Sequence, residues 1–192
     1  MQIRYPEEIT IETYIEQRGW EQVELNQCPF HPEGGCGLVR HGTYPRKFPD
    51  YCLVARWYCP CQRETISLLP DFFASRLPGT LDEVEQVVNI AASSSSREEA
   101  AETLRPDISL PGGLRWLRRR IKYVREALTI LAGLLANECI PDLQSFRENY
   151  NTDSVLTKMR DIAAEHLQSL PRIVGFGSRS GGRYCHFPVS NN

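Results

Sequence analysis

Residues 28–61 read CPFHPEGGCGLVRHGTYPRKFPDYCLVARWYCPC. It holds five of the seven cysteines (28, 36, 52, 59, 61, 139 and 185). The total is odd, and the opening MQIRYPEEIT has neither the basic start nor the apolar core of a signal peptide, so a cytoplasmic location is expected and a disulfide scaffold is not. The alternative use of clustered thiols is a metal. About forty residues rich in Gly, Pro, Tyr and Cys hold little apolar volume and need a staple to order them.

A structural zinc ion takes four sulfur or imidazole ligands in a tetrahedron, supplied by two turns of chain. One group here is Cys28, Pro29, Phe30 and His31, followed by Cys36 and Gly37; the other is Cys59, Pro60 and Cys61. The first choice of ligands is Cys28, Cys36, Cys59 and Cys61. Cys28 and His31 have the usual two-residue gap, so a three-cysteine, one-histidine set with His31 in place of Cys36 is the rival. Cys52 reads as a strand residue facing the core. Between the two groups, residues 38–44 and 51–58 have strand character, with Pro45, Pro49 and Asp50 supplying a turn, and 65–69 reads as a third strand.

The order CP, CG, RHGTY, RWYCP and TISLLPDFF across residues 28–77 resembles the zinc-ribbon segment at the front of many bacterial transposases and in small transposase-associated proteins. The longer loop HPEGG, the shortened CPC and Ile66 in place of Phe depart from that pattern. The resemblance implies a zinc ribbon and a role in binding DNA.

On the N-terminal side, residues 9–18 read as a short helix stopped by Gly19, followed by an extended run through Trp20, Val23 and Leu25. On the C-terminal side the composition changes to helix formers. Leu81, Val84, Val88 and Ala91 share one helical face. Ser96 and Glu99 have capping-box spacing before a helix over 97–104. Leu114, Leu117, Ile121, Val124, Leu128, Leu131 and Leu135 repeat at steps of three and four, which predicts one long helix with a narrow apolar seam. That seam suits bundle packing and also a homodimer through residues 114–135. Further helices are expected over 142–150 and 154–170. The ending GFGSRSGGRYCHFPVSNN reads as a tail. The expected class is thus α+β: an arm (1–27), a zinc-ribbon-like β subdomain (28–79), an all-α bundle with helix-turn-helix-like character (80–172) and a flexible tail (173–192).

The net charge of −2 excludes a uniformly basic nucleic-acid coat, yet charge is unevenly distributed. Residues 1–24 hold six Glu against two Arg, and residues 111–125 hold five Arg and one Lys with no acid. Arg115, Arg118, Arg119 and Lys122 fall early in the long helix, where cations oppose the helix dipole, so helix stability does not explain them. They are candidate phosphate contacts, joined by Arg40, Arg46 and Lys47 of the ribbon. The bland alternative is a solvated face, or one neutralised by the acidic arm.

No catalytic constellation stands out. The carboxylates lie mostly on predicted helix faces, with no strand-rich segment after residue 80 to converge them on two metals. His166 sits beside Leu167 and Leu170, His186 lies in the expected tail, and neither GGCG nor GFGSRSGG follows a strand and opens a helix. The reading is a non-catalytic, Zn2+-stapled DNA-binding protein. Its rival is a protein–protein interaction module, an assembly partner of a separate recombinase. No segment is long and apolar enough to suggest a membrane span.

Overall fold

Strand β3 (Leu53–Cys59) is the centre of the molecule: Val54, Ala55, Trp57 and Cys59 are buried, more than an alternating half-exposed strand would show. It pairs antiparallel on one side with β2 (Val39–Pro45) and on the other with β4 (Glu64–Pro70). Strand β1 (Gln2–Tyr5) adds parallel to β4, giving a four-stranded sheet of order β1-β4-β3-β2. The computed structural model describes residues 1–6, 9–135 and 140–176. The three strands of the cysteine-rich stretch match the expectation; β1, inside the predicted arm, does not. Its QIRY alternation is too short to read as a strand alone.

The arm contains α1 (Ile11–Glu16) and α2 (Gly19–Gln22). Gly19 does not stop a helix; it begins one. The left-handed turn falls on Arg18 (φ 50°), and a Cβ at Gly19 would lie 2.2 Å from the Tyr14 ring, so glycine is required for that close packing.

Helices α3 (Leu81–Ser93), α4 (Arg97–Leu104) and α5 (Leu110–Leu134) pack against one another, and α6 (Leu143–Tyr150) and α7 (Val155–Ile162) complete the helical layer. A 3-10 turn at Ala164–His166 ends the predicted 154–170 helix early. The full capping box is at α3, where Thr80 and Glu83 satisfy each other's backbone amides. At α4 only half of the expected box forms: Ser96 accepts from the Glu99 amide, while the Glu99 carboxylate turns to Ser95. Helix α5 starts four residues before the apolar seam because Pro111, lacking an N–H, fits its first turn. The connection from α4 is therefore residues 105–109, shorter than the sequence suggests.

One hydrophobic cluster runs from Tyr14 through the sheet to Phe176, crossing the boundary expected at residue 79. In the α5 seam Leu117, Val124, Leu128 and Leu131 are buried within the chain, so a dimer through those residues would have to displace this packing. Ile173, Val174 and Phe176 are buried as well, and Ser75 and Ile173 exchange backbone hydrogen bonds. The start of the expected tail is thus part of the core; the rest lies outside the described residues. Among the described residues no helix is long and apolar enough to cross a membrane.

Two buried charges join the layers. Arg160, fully buried, donates to the carbonyls of Asp71, Phe73, Ile173 and Val174, and burial lowers its pKa to about 10. Glu85 of α3 accepts from the Leu156 amide at the start of α7 and lies 3.8 Å from Arg147. Burial pushes the Glu85 carboxyl up to about 7, outweighing the amides of Leu156 and Val155 that favour its charged form. Because the folded state holds this proton more tightly than the unfolded chain, stability falls as pH rises from about 4.5 to about 7 and is flat beyond. Urea melts between pH 5.5 and 8 should show this limb, on the order of 2 kcal/mol, in the wild type and a flatter one in Glu85→Gln. Parallel profiles would contradict the assignment.

Candidate metal centre and basic face

Cys59 closes β3 with its side chain turned inward, and the loop after α2 brings three more donors to it. Cys28, His31, Cys36 and Cys59 place one ligand atom each within 4.8 Å of one another, the three sulfurs buried and the imidazole half-buried. Local turns aim them. The His31 amide donates to the Cys28 carbonyl at 3.1 Å, folding the CPFH turn so that both side chains face the same point. Gly37, at φ +66°, reverses the chain directly after Cys36.

The spacing fits one tetrahedral ion. Ligand bonds of roughly 2.3 Å to sulfur and 2.0–2.1 Å to nitrogen imply an S···N edge of about 3.6 Å. His31 Nδ1 lies 3.7 Å from the Cys28 sulfur and 3.5 Å from that of Cys59. The donor chemistry agrees. Burial, with hydrogen bonding to Cys28 and Cys59, pushes the Cys36 thiol up to about 11. At Cys59 burial also acts upward, but the backbone amide of Gln62, the neighbouring thiols and the amide of Cys61 outweigh it and draw the pKa down. Amides aimed at the Cys59 sulfur stabilise its thiolate, the form in which a thiol binds a metal. These four residues could hold a metal ion.

The cluster has the three-cysteine, one-histidine composition of the rival set, but the cysteine left out is Cys61, not Cys36. With only Pro60 between them, Cys59 ends a strand and Cys61 sits on the turn beyond, exposed, its thiol donating to the Cys36 carbonyl at 3.7 Å. It touches the cluster's backbone rather than its centre. Cys52 is buried, as expected of a core-facing residue; Cys139 and Cys185 lie outside the described residues.

The basic candidates divide. Arg40 donates to the carbonyls of Trp20, Glu21 and Val23 and lies over the Trp57 ring at 5.2 Å. Arg46 donates to those of Ala74, Leu77 and Gly79 and lies over Phe73 at 4.6 Å. Both guanidiniums therefore bond carbonyls of the chain itself, Arg40 from an exposed position and Arg46 from a half-buried one. A guanidinium with five donors and a flat face satisfies loop carbonyls that no strand or helix can reach. Lys47 remains exposed. On α5, Arg115, Arg118, Arg119, Lys122 and Arg125 are exposed, whereas Arg120 turns inward beneath Trp116, 4.0 Å from that ring, and donates to the Pro78 carbonyl. Lys122 pairs with Glu126; among the described residues the other four exposed arginines make no ion pair, and no acid of residues 9–24 reaches α5. Arg97 joins Arg118, Lys122 and Arg125 along one flank of the helix. Sequence periodicity along α5 alone does not find Arg97, because it comes from α4.

Comparison with protein-family models, with curated proteins and with solved structures returned no match.

Cobalt(II) titration with single variants checks the ligand set. Cys28→Ser, His31→Ala, Cys36→Ser and Cys59→Ser are each expected to lose the tetrahedral thiolate–cobalt spectrum, and Cys61→Ser to keep it. Loss in Cys61→Ser with retention in His31→Ala would restore the four-cysteine set.

Proposed function

We propose that this chain is a non-catalytic, zinc-stapled protein that binds DNA through the N-terminal half of α5. The observation that carries the reading is the exposed row of Arg115, Arg118 and Arg119 in that half, continued by Arg125, all without acidic partners among the described residues. Folding does not account for these charges, unlike Arg40, Arg46 and Arg120. Zinc suits the three sulfurs and one imidazole because it is content with tetrahedral geometry and has no redox chemistry to control.

Helix-turn-helix character is supported by the mutual packing of α3, α4 and α5 and by the five-residue connection that leads into the basic helix. Zinc-ribbon character is supported by the antiparallel strands β2, β3 and β4 with donors at the end of β3 and in the loop facing it. Kinship with transposase-associated ribbon proteins belongs to the same proposal and rests on the motif order of residues 28–77. A second reading, a protein–protein module serving a separate recombinase, is favoured by Ile130 and Leu134, which are exposed on α5 beyond the basic stretch. A salt-resistant complex would distinguish it.

Binding to a DNA duplex should weaken steeply with salt, and Arg118→Ala, Arg119→Ala and Lys122→Ala combined should reduce the slope of log K against log[salt] by about 2 to 3. Anisotropy titrations from low to physiological salt measure it. No binding at low salt, or an unchanged slope, contradicts the proposal.

A further inference from the structure

The hairpin turn between β2 and β3 stands opposite the start of α5, and the two enclose a groove of about 1050 Å³. Its floor is apolar, formed by Leu77, Val84 and Val87, while Lys47, Arg115 and Arg119 stand along it. The two carboxylates that reach the groove are already engaged: Glu83 accepts from the Thr80 amide in the α3 capping box, and Asp107 is held bidentately by Arg105. The groove therefore presents net positive charge around a concave apolar surface. At its mouth stands Phe48, half exposed and, among the described residues, stacked on no other ring.

We infer that this groove takes the unpaired bases of a single-stranded nucleic acid, an inference that rests on the reading of α5 as a nucleic-acid-binding helix and names its substrate. A duplex offers phosphates outward and hides its bases, so it matches a convex cationic ridge and leaves an apolar hollow unused. A single strand presents both kinds of surface. Its phosphates meet Lys47, Arg115 and Arg119, and its bases stack on Phe48 and cover the apolar floor. The opposite flank of α5, with Arg97, Arg118, Lys122 and Arg125, extends the cationic track along the strand beyond the groove.

The test compares full-length, metal-loaded protein on a fluorescent oligothymidylate of about ten nucleotides, on a hairpin duplex of equal charge and on polyglutamate. The wild type is expected to prefer the single strand. Phe48→Ala, at an exposed position that leaves the core intact, should lower single-strand affinity at least fivefold and leave duplex affinity within twofold. Arg118→Ala should weaken both nucleic acids alike. Preference for the duplex, or unchanged single-strand binding in Phe48→Ala, overturns the groove assignment and leaves the basic-helix reading standing. Binding of neither nucleic acid overturns both, and capture of polyglutamate in their place assigns the groove to an acidic protein ligand.

Discussion

Residues 26–38 have little to hold them except the meeting of four donors. The segment contains no strand or helix, Pro32 to Gly35 are exposed, and its larger apolar side chains, Phe30 and Leu38, are only half-buried. What fixes its path is that Cys28, His31 and Cys36 converge on Cys59, a residue of the central strand. A cation shared by these groups would tie an otherwise featureless loop to the end of the central strand β3. It would also offset the mutual repulsion of sulfurs brought this close as thiolates.

Elsewhere the irregular segments are held by guanidiniums. Arg40 gathers the carbonyls at the end of α2, Arg46 those of the joint after β4, Arg160 those of residues 71, 73, 173 and 174, and Arg120 that of Pro78. Each lies over an aromatic ring as well. Buried carbonyls without partners are costly, and a flat cation that bonds several at once while packing as an apolar face is an economical solution. The sheet and helices consequently share one core rather than standing as a ribbon beside a bundle. The exposed cations outside this scheme include those of α5 and Lys47.

Periodicity made the helical half legible. The step of three and four through Leu117, Val124, Leu128 and Leu131 located α5, and Ser96 marked the start of α4. The cysteine spacing pointed to a cluster that could hold a metal but not to its membership, because whether Cys61 or His31 faces inward depends on how the turn leaves β3, a tertiary matter. Arginine roles were the least legible. Arg40 and Arg46 look like phosphate contacts in one dimension, and only the fold brings carbonyls from residues 20–23 and 74–79 to them. Strand β1 was hidden for the same reason: four residues acquire strand identity from β4, 60 and more positions away. The burial of Ile173, Val174 and Phe176 goes with contacts to Ser75 and Arg160 that no local pattern announces.

If one cation orders the loop before β2, hydrogen exchange measured by mass spectrometry with and without a strong chelator reads that order along the chain. Metal removal is expected to expose the amides of residues 28–38 and 59–63 to fast exchange while α3–α5 keep their protection, and one equivalent of zinc to restore the loop. Protein that carries no metal as isolated, with residues 28–38 equally protected in chelator, would contradict it.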